Sequence, residues 1–144
     1  GVASSNSPIS AQTLKTSSIG MSIVQNGKEL KLSKDTSANM TFFSGTLAEG
    51  KVYLHWNVAG ERSNGTYIVY RSSDAKNYQV VGYKDGVGVP INQDIAYYFT
   101  DETPASGENS YIVFHLGDNK TFLTSEIIRV EKTNEILMSK ANTK

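Results

Sequence analysis

The chain has 144 residues, and its 14 Lys+Arg balance 14 Asp+Glu, so the formal net charge is zero. That length suits one domain with a core of its own, without staples of metal or disulfide. The charge balance excludes the basic footprint of a nucleic-acid binder or a polybasic membrane patch. The absence of cysteine excludes disulfides, thiolate chemistry and cysteine metal sites. No apolar run is long enough to span a bilayer.

The chain opens with Gly1 and the stretch "GVASSNSPISAQTLKTSS", rich in Ser, Thr and Asn. Such a stretch suits the region after a removed signal peptide, which points to export. With few apolar anchors, residues 1 to about 20 are expected to be loose or draped over the body. In "MSIVQNGKELKLS" both Asn26 and Gly27 tolerate positive φ, which predicts a two-residue hairpin turn. Its arms carry Met21, Ile23 and Val24 on one side, Leu30 and Leu32 on the other. The first 39 residues therefore read as an extension with a hairpin at 21–33, followed by the turn-formers "SKDTSAN".

From residue 40 short strands alternate with turns. "MTFFSGTL" is a run of β-formers and "AEG" turns the chain. "KVYLHWNV" alternates, with Val52, Leu54, Trp56 and Val58 on one face and Tyr53, His55 and Asn57 on the other. "TYIVYRS" and "YQVVGY" form a pair around a polar turn. Pro90 discourages a central strand in the Gly-rich loop "KDGVGVPINQD". "IAYYFT", "SYIVFHL" and "FLTSEIIRV" complete the set. This spacing predicts an all-β sandwich over residues 40–131. The segment 132–144 reads as a tail.

The order of these pieces resembles a fibronectin type III-like, that is immunoglobulin-like, sandwich of about seven strands. More narrowly it is similar to a small domain of secreted and surface proteins in Gram-negative bacteria that use the type IX secretion route. Trp56 matches the tryptophan that ends the family's second strand. Tyr67, Val69, Arg71, Ser72, Asp74, Tyr78, Val81 and Gly82 match a Phe-x-Ile-Glu-Arg-Ser-x-Asp-Gly pattern and its Ile-Gly close. Phe99, Thr100, Asp101, Pro104, Gly107 and Tyr111 match the next stretch, and Ser125, Ile127 and Val130 the last strand. Ala75 stands where the pattern has its turn glycine, and "GDNK" replaces an Asp-Gly turn. Tyr70, Ile112 and Phe114 replace residues that are typically charged, and no Pro-Asn-Pro sorting segment follows Val130. The resemblance implies an exported, non-catalytic module for protein–protein or adhesive contacts, at the periplasm, the outer surface or beyond. It does not extend to the sorting route.

The residues that could carry chemistry have plainer roles. Trp56 shares parity with core positions. Tyr111 looks like the tyrosine of a sandwich corner, its hydroxyl tied to nearby backbone. His55 and His115 lack a Gly-x-Ser-x-Gly elbow or a His-x-x-x-His partner, so no catalytic or metal set is assigned. Asp101, Glu102 and Asp118 lack loop-ligand spacing, and "GVGVP" lacks the Lys-Ser/Thr of a phosphate loop. No cofactor is implied, and a small hydrolase is retained only as a remote class.

One lead remains. If Tyr67, Val69, Tyr111 and Val113 point into the core, then Ile68, Tyr70, Ile112 and Phe114 point out. Fibronectin-like topology sets their strands side by side, making one apolar patch too large to leave bare. Three coverings are compatible with the sequence: the N-terminal hairpin, a partner chain in a homodimer, or a protein or glycan ligand. In the last case Tyr70 and Phe114, with Tyr53 or Tyr83, form a carbohydrate-binding platform. A one-residue bulge would swap the parities.

Overall fold

A computed structural model describes residues 12–17, 20–25, 27–29, 31–61, 65–87, 94–117 and 120–133. The expected loose start at 1–11, the loop around Pro90, Asp118 and the tail from 134 lie outside these residues. The described strands are β1 (Gln12–Ser17), β2 (Gly20–Gln25), β3 (Lys28–Glu29), β4 (Ser33–Lys34), β5 (Asn39–Ala48) and β6 (Lys51–Ala59). They continue with β7 (Gly65–Ser72), β8 (Asn77–Asp85), β9 (Ile95–Asp101), β10 (Gly107–Gly117), β11 (Thr121–Thr124) and β12 (Ile128–Lys132). The protein is all-β, with two sheets packed as a sandwich. One has the order β5-β6-β9; the other has the order β3-β2-β1-β8-β7-β10-β11-β4, with β12 also on β10.

The inner faces meet in a core built by strict alternation. Val52, Leu54, Trp56 and Val58 of β6 face Tyr67 and Val69 of β7 and Tyr111 and Val113 of β10. All eight are buried. Trp56 packs edge-on to Phe43 and stacks against Tyr97, with ring centroids 6.4 and 5.8 Å away. These large rings dominate the apolar area removed from water, at about 25 cal/mol per Å².

Strands outnumber the expected seven for two reasons. "FLTSEIIRV" breaks at Ser125, whose backbone N–H donates to Val113 O at 2.9 Å and whose Oγ accepts from Val113 N–H at 2.8 Å. The side chain substitutes for a ladder partner, and β11 and β12 separate around it. The N-terminal region also supplies four strands. Gln25 pairs with Lys28 across the expected turn and Gly27 has φ 78°, while Asn26 lies outside the described residues. The main partner of β2, however, is β1, along the whole of Gln12–Ser17. That segment, expected to be loose or draped over the body, pairs along its full length.

The long sheet cannot be flat. Its eight-strand path would place β3 and β4 about 33 Å apart at normal strand spacing. The chain runs from Glu29 to Ser33, a reach of at most about 14 Å. The sheet must therefore curl until its two ends approach. Leu32, in that short crossing, packs on the face of β7 and β10 that looks away from the sandwich core, which fixes the direction of the curl. β1 joins β8 at Leu14↔Tyr78 and Lys15↔Asn77, and β4 joins β11 in parallel at the opposite end. The N-terminal strands thus arch over the back of the main sheet.

Candidate functional site

Beneath that arch lie Ile68, Tyr70, Ile112 and Phe114. β7 and β10 pair at Ile112↔Tyr70 and Phe114↔Ile68, so the four share one sheet face. A bulge does occur nearby, with Val69 opposite Gly82 and Tyr70 opposite Val80. Its extra residue, Val81, belongs to β8, so the alternation of β7 is untouched. The four form a second core with Tyr78, against which Leu32, Val80, Leu116 and Phe122 pack. Phe122 stacks on Phe114 at 5.4 Å, nearly parallel. Their exposures are 0, 0, 0 and 4 %, so they offer no surface to a ligand or to a second subunit. Tyr70 and Phe114 cannot serve as platform rings.

Two buried carboxylates hold the ends of the sandwich. Asp101, at the end of β9, accepts the Tyr111 hydroxyl at 2.6 Å, Arg71 Nη1 at 2.8 Å and the Thr103 backbone N–H at 3.2 Å. The tyrosine therefore ties to a side chain rather than to backbone. Burial, and then this bond, raise the Tyr111 phenol well above its usual range. At the other end Glu61 Oε1 accepts the hydroxyls of Tyr67 and Tyr97, each at 2.5 Å. Burial and the same acceptor raise Tyr67 strongly and push Tyr97 up to about 12. The His115 ring lies 4.4 Å from that of Tyr67. Asp101 accepts from β7 and β10 of the opposing sheet, and Glu61, just after β6, joins Tyr67 of one sheet to Tyr97 of the other, which is a stapling role in both cases.

Two open hollows of about 370 and 410 Å³ flank Arg71. Their rims include Asp74, Asp101 and Glu102, so carboxylates outnumber the one guanidinium. Asp74 is itself saturated. It accepts from Asn77 N–H and Lys76 N–H at 2.9 Å each and from Ser72 Oγ at 2.7 Å. The Asn77 bond first, then the others, hold its carboxyl well below the usual range. Nothing there is arranged to receive an anion.

The open feature is the outer face of the three-stranded sheet. Ser44 and Tyr98 both pair with His55, so outward parity in β6 carries outward parity to β5 and β9. A bulge between Met40 and Phe42 lets Met40 and Phe43 pack inward while Phe42 faces out opposite Asn57. Phe42, His55 and Tyr98 then make a continuous row across three strands. Phe42 meets His55 edge-on at 5.2 Å, and His55 stacks on Tyr98 at 4.6 Å and 17°. His55 Nε2–H donates to Asn57 Oδ1 at 2.9 Å, which fixes the middle ring. Tyr98 is 60 % exposed, Phe42 47 % and Tyr53 42 %. Of the rings named from the sequence only Tyr53 and Tyr83 are open, and Tyr83 lies on β8, in the other sheet.

Phe42 and Tyr98 were missed by sequence reasoning, yet a signal was present. Each belongs to a run of adjacent aromatics, Phe42-Phe43 and Tyr97-Tyr98-Phe99. Neighbours in a strand point to opposite faces, so at least one ring of each run must leave the core. Among the described residues no three His, Asp or Glu gather as a metal site, and no helix is long and apolar enough to cross a membrane. No protein-family model, curated protein or solved structure matches the chain.

Proposed function

We propose that this chain is a non-catalytic, exported binding module on a fibronectin type III-like sandwich, and that it binds through the outer face of β5-β6-β9. One observation carries the reading: the exposed aromatic row Phe42–His55–Tyr98, locked by ring contacts and the Asn57 bond. Rings left in water but held rigid lose little conformational entropy when they meet a ligand. The fold assignment draws support from the strand order. Within residues 40–131 the first, second and fifth long strands make one sheet, β5-β6-β9. The third, fourth, sixth and last make the other, β8-β7-β10-β12. A fibronectin-like sandwich distributes its strands in this way. Export rests on the resemblance.

The test is an array of polysaccharides, glycoproteins and purified structural proteins, probed with the natural chain and with a Phe42→Ala/Tyr98→Ala double variant. Ligands retained by the natural chain should lose the variant. If every retained ligand holds both proteins equally, the face is not the binding surface. Turnover in a hydrolase screen that His55→Ala or His115→Ala removes would instead establish an enzyme.

A further inference from the structure

We infer that the outer face of β5, β6 and β9 takes a neutral, unbranched polysaccharide, with sugar rings laid against Tyr98 and Phe42. This rests on the proposal that the face is the binding surface and names the class of ligand.

The chemistry of the face selects against the alternatives. Among the described residues, the outward positions of β5, β6 and β9 between its two ends carry no carboxylate, ammonium or guanidinium. Strand pairing sets Ser44, Thr46, Asn57 and Thr100 beside the rings, so the polar groups are hydroxyls and an amide. The charged groups at the ends have partners, and a carboxylate, Glu126, borders Phe42 at the β5 edge. Lys51 pairs with Glu102 at 3.0 Å, and Asp94 accepts from Thr41 Oγ1 at 3.1 Å. An anionic chain, nucleic acid or acidic glycan, finds no cation here to replace its counterions. A sugar presents a C–H face and a rim of hydroxyls. The first suits an exposed ring, and the second suits neutral donors and acceptors interleaved with the rings.

Size points the same way. Three strands at about 4.8 Å and five residues at about 3.3 Å give a face on the order of 250 Å². A stable protein partner buries about 800 Å² on each side. The face falls well short of that area, whereas a few sugar units need no more.

Geometry gives the mode. β5 and β9 are the edges of their sheet, and the ring row runs from one edge to the other. A chain can therefore enter at one side and leave at the other, so the interior of a polymer is bound and its end is not needed. His55 is the spacer. It covers one face of Tyr98 and is pinned by Asn57, leaving the far face of Tyr98 open.

Affinity electrophoresis of the full chain tests this, with a soluble β-glucan, a β-mannan and an α-glucan as neutral gels and polygalacturonate and alginate as acidic ones. At least one neutral polymer should retard the protein. Calorimetry with the matching hexasaccharide should show Tyr98→Ala and Phe42→Ala each weakening binding by about tenfold or more. Tyr83→Ala, an exposed ring away from the face, should bind as the natural chain does, and melting curves check that all variants fold. Retardation by none of the neutral polymers overturns the inference. Retardation by the acidic polymers alone, abolished by Tyr98→Ala, overturns the neutral-glycan class but keeps the face. Tight binding of a protein that Tyr98→Ala abolishes, with no glycan bound, has the same effect. Glycan binding that neither variant alters overturns both the ligand class and the face.

Discussion

At the scale of single residues, Ala75 shows how a departure from a sequence pattern becomes a measurable strain. It occupies the turn position where the resembling domains carry glycine, and its φ is 60°. An L-residue with a Cβ in that region costs about 1–2 kcal/mol, while glycine gives back about 0.5–1 kcal/mol through its freer unfolded chain. Ala75→Gly should therefore stabilise the protein by about 0.5–1 kcal/mol, read as a higher urea midpoint. A lower midpoint would show that the Ala75 methyl makes a contact that outweighs the strain. Trp56 is the opposite case, fully buried among Phe43, Tyr67 and Tyr97. Trp56→Ala should cost about 3–5 kcal/mol by emptying that volume. A loss below about 1 kcal/mol is the mark of a surface position and would contradict the packing. Trp56 was legible because the inward face of β6 reads Val, Leu, Trp, Val without interruption. Phe42 and Tyr98 were not, because adjacent rings hide which of them faces the core.

At the scale of elements, alternation made β6, β7 and β10 readable, and the Asn-Gly pair made one turn readable. β1 was not. Its sequence, QTLKTS, is mostly polar, and its strand character comes from backbone pairing with β2, which composition does not encode. The break between β11 and β12 was hidden for a related reason, since a serine hydroxyl acting as a ladder acceptor leaves no periodic trace. The arch formed by the N-terminal strands has an energetic role that truncation should expose. Deleting residues 1–36 removes Leu32 and β1 to β4 and opens the second core around Ile68, Tyr70, Ile112 and Phe114. Apolar area returns to water at about 25 cal/mol per Å², so the truncated chain should bind a hydrophobic dye and self-associate. A truncated chain that stays monomeric, dye-negative and equally stable would mean the arch contributes nothing to that core.

At the scale of the whole molecule, buried phenols couple stability to alkaline pH. Tyr67, Tyr70, Tyr97 and Tyr111 are all raised, chiefly by burial. A raised phenol stays protonated in the fold when the unfolded chain would ionise, at a pH of about 10. Above that pH the unfolded state holds fewer protons, so stability is intact below about pH 10 and falls as pH climbs toward and past 12. Tyrosinate absorbance from these four should appear together with the loss of near-ultraviolet circular dichroism, in one cooperative step. Full ionisation of all eight tyrosines with the dichroism unchanged would show that the phenols are not held as described.

The short crossing from Glu29 to Ser33 also sets an order in time. β1, paired locally with β2, needs Tyr78 to join the main sheet, and β4 needs Phe122 for its partner. During synthesis β1 and β4 must wait for β8 and β11 before joining the main sheet, because closing such long loops precedes any gain from the contacts they make. β1 to β4 are thus seated late although made before β7 and β10, and until then their place over β7 and β10 is vacant. The interval before that docking is when this face is most exposed to capture by neighbouring molecules or by a chaperone.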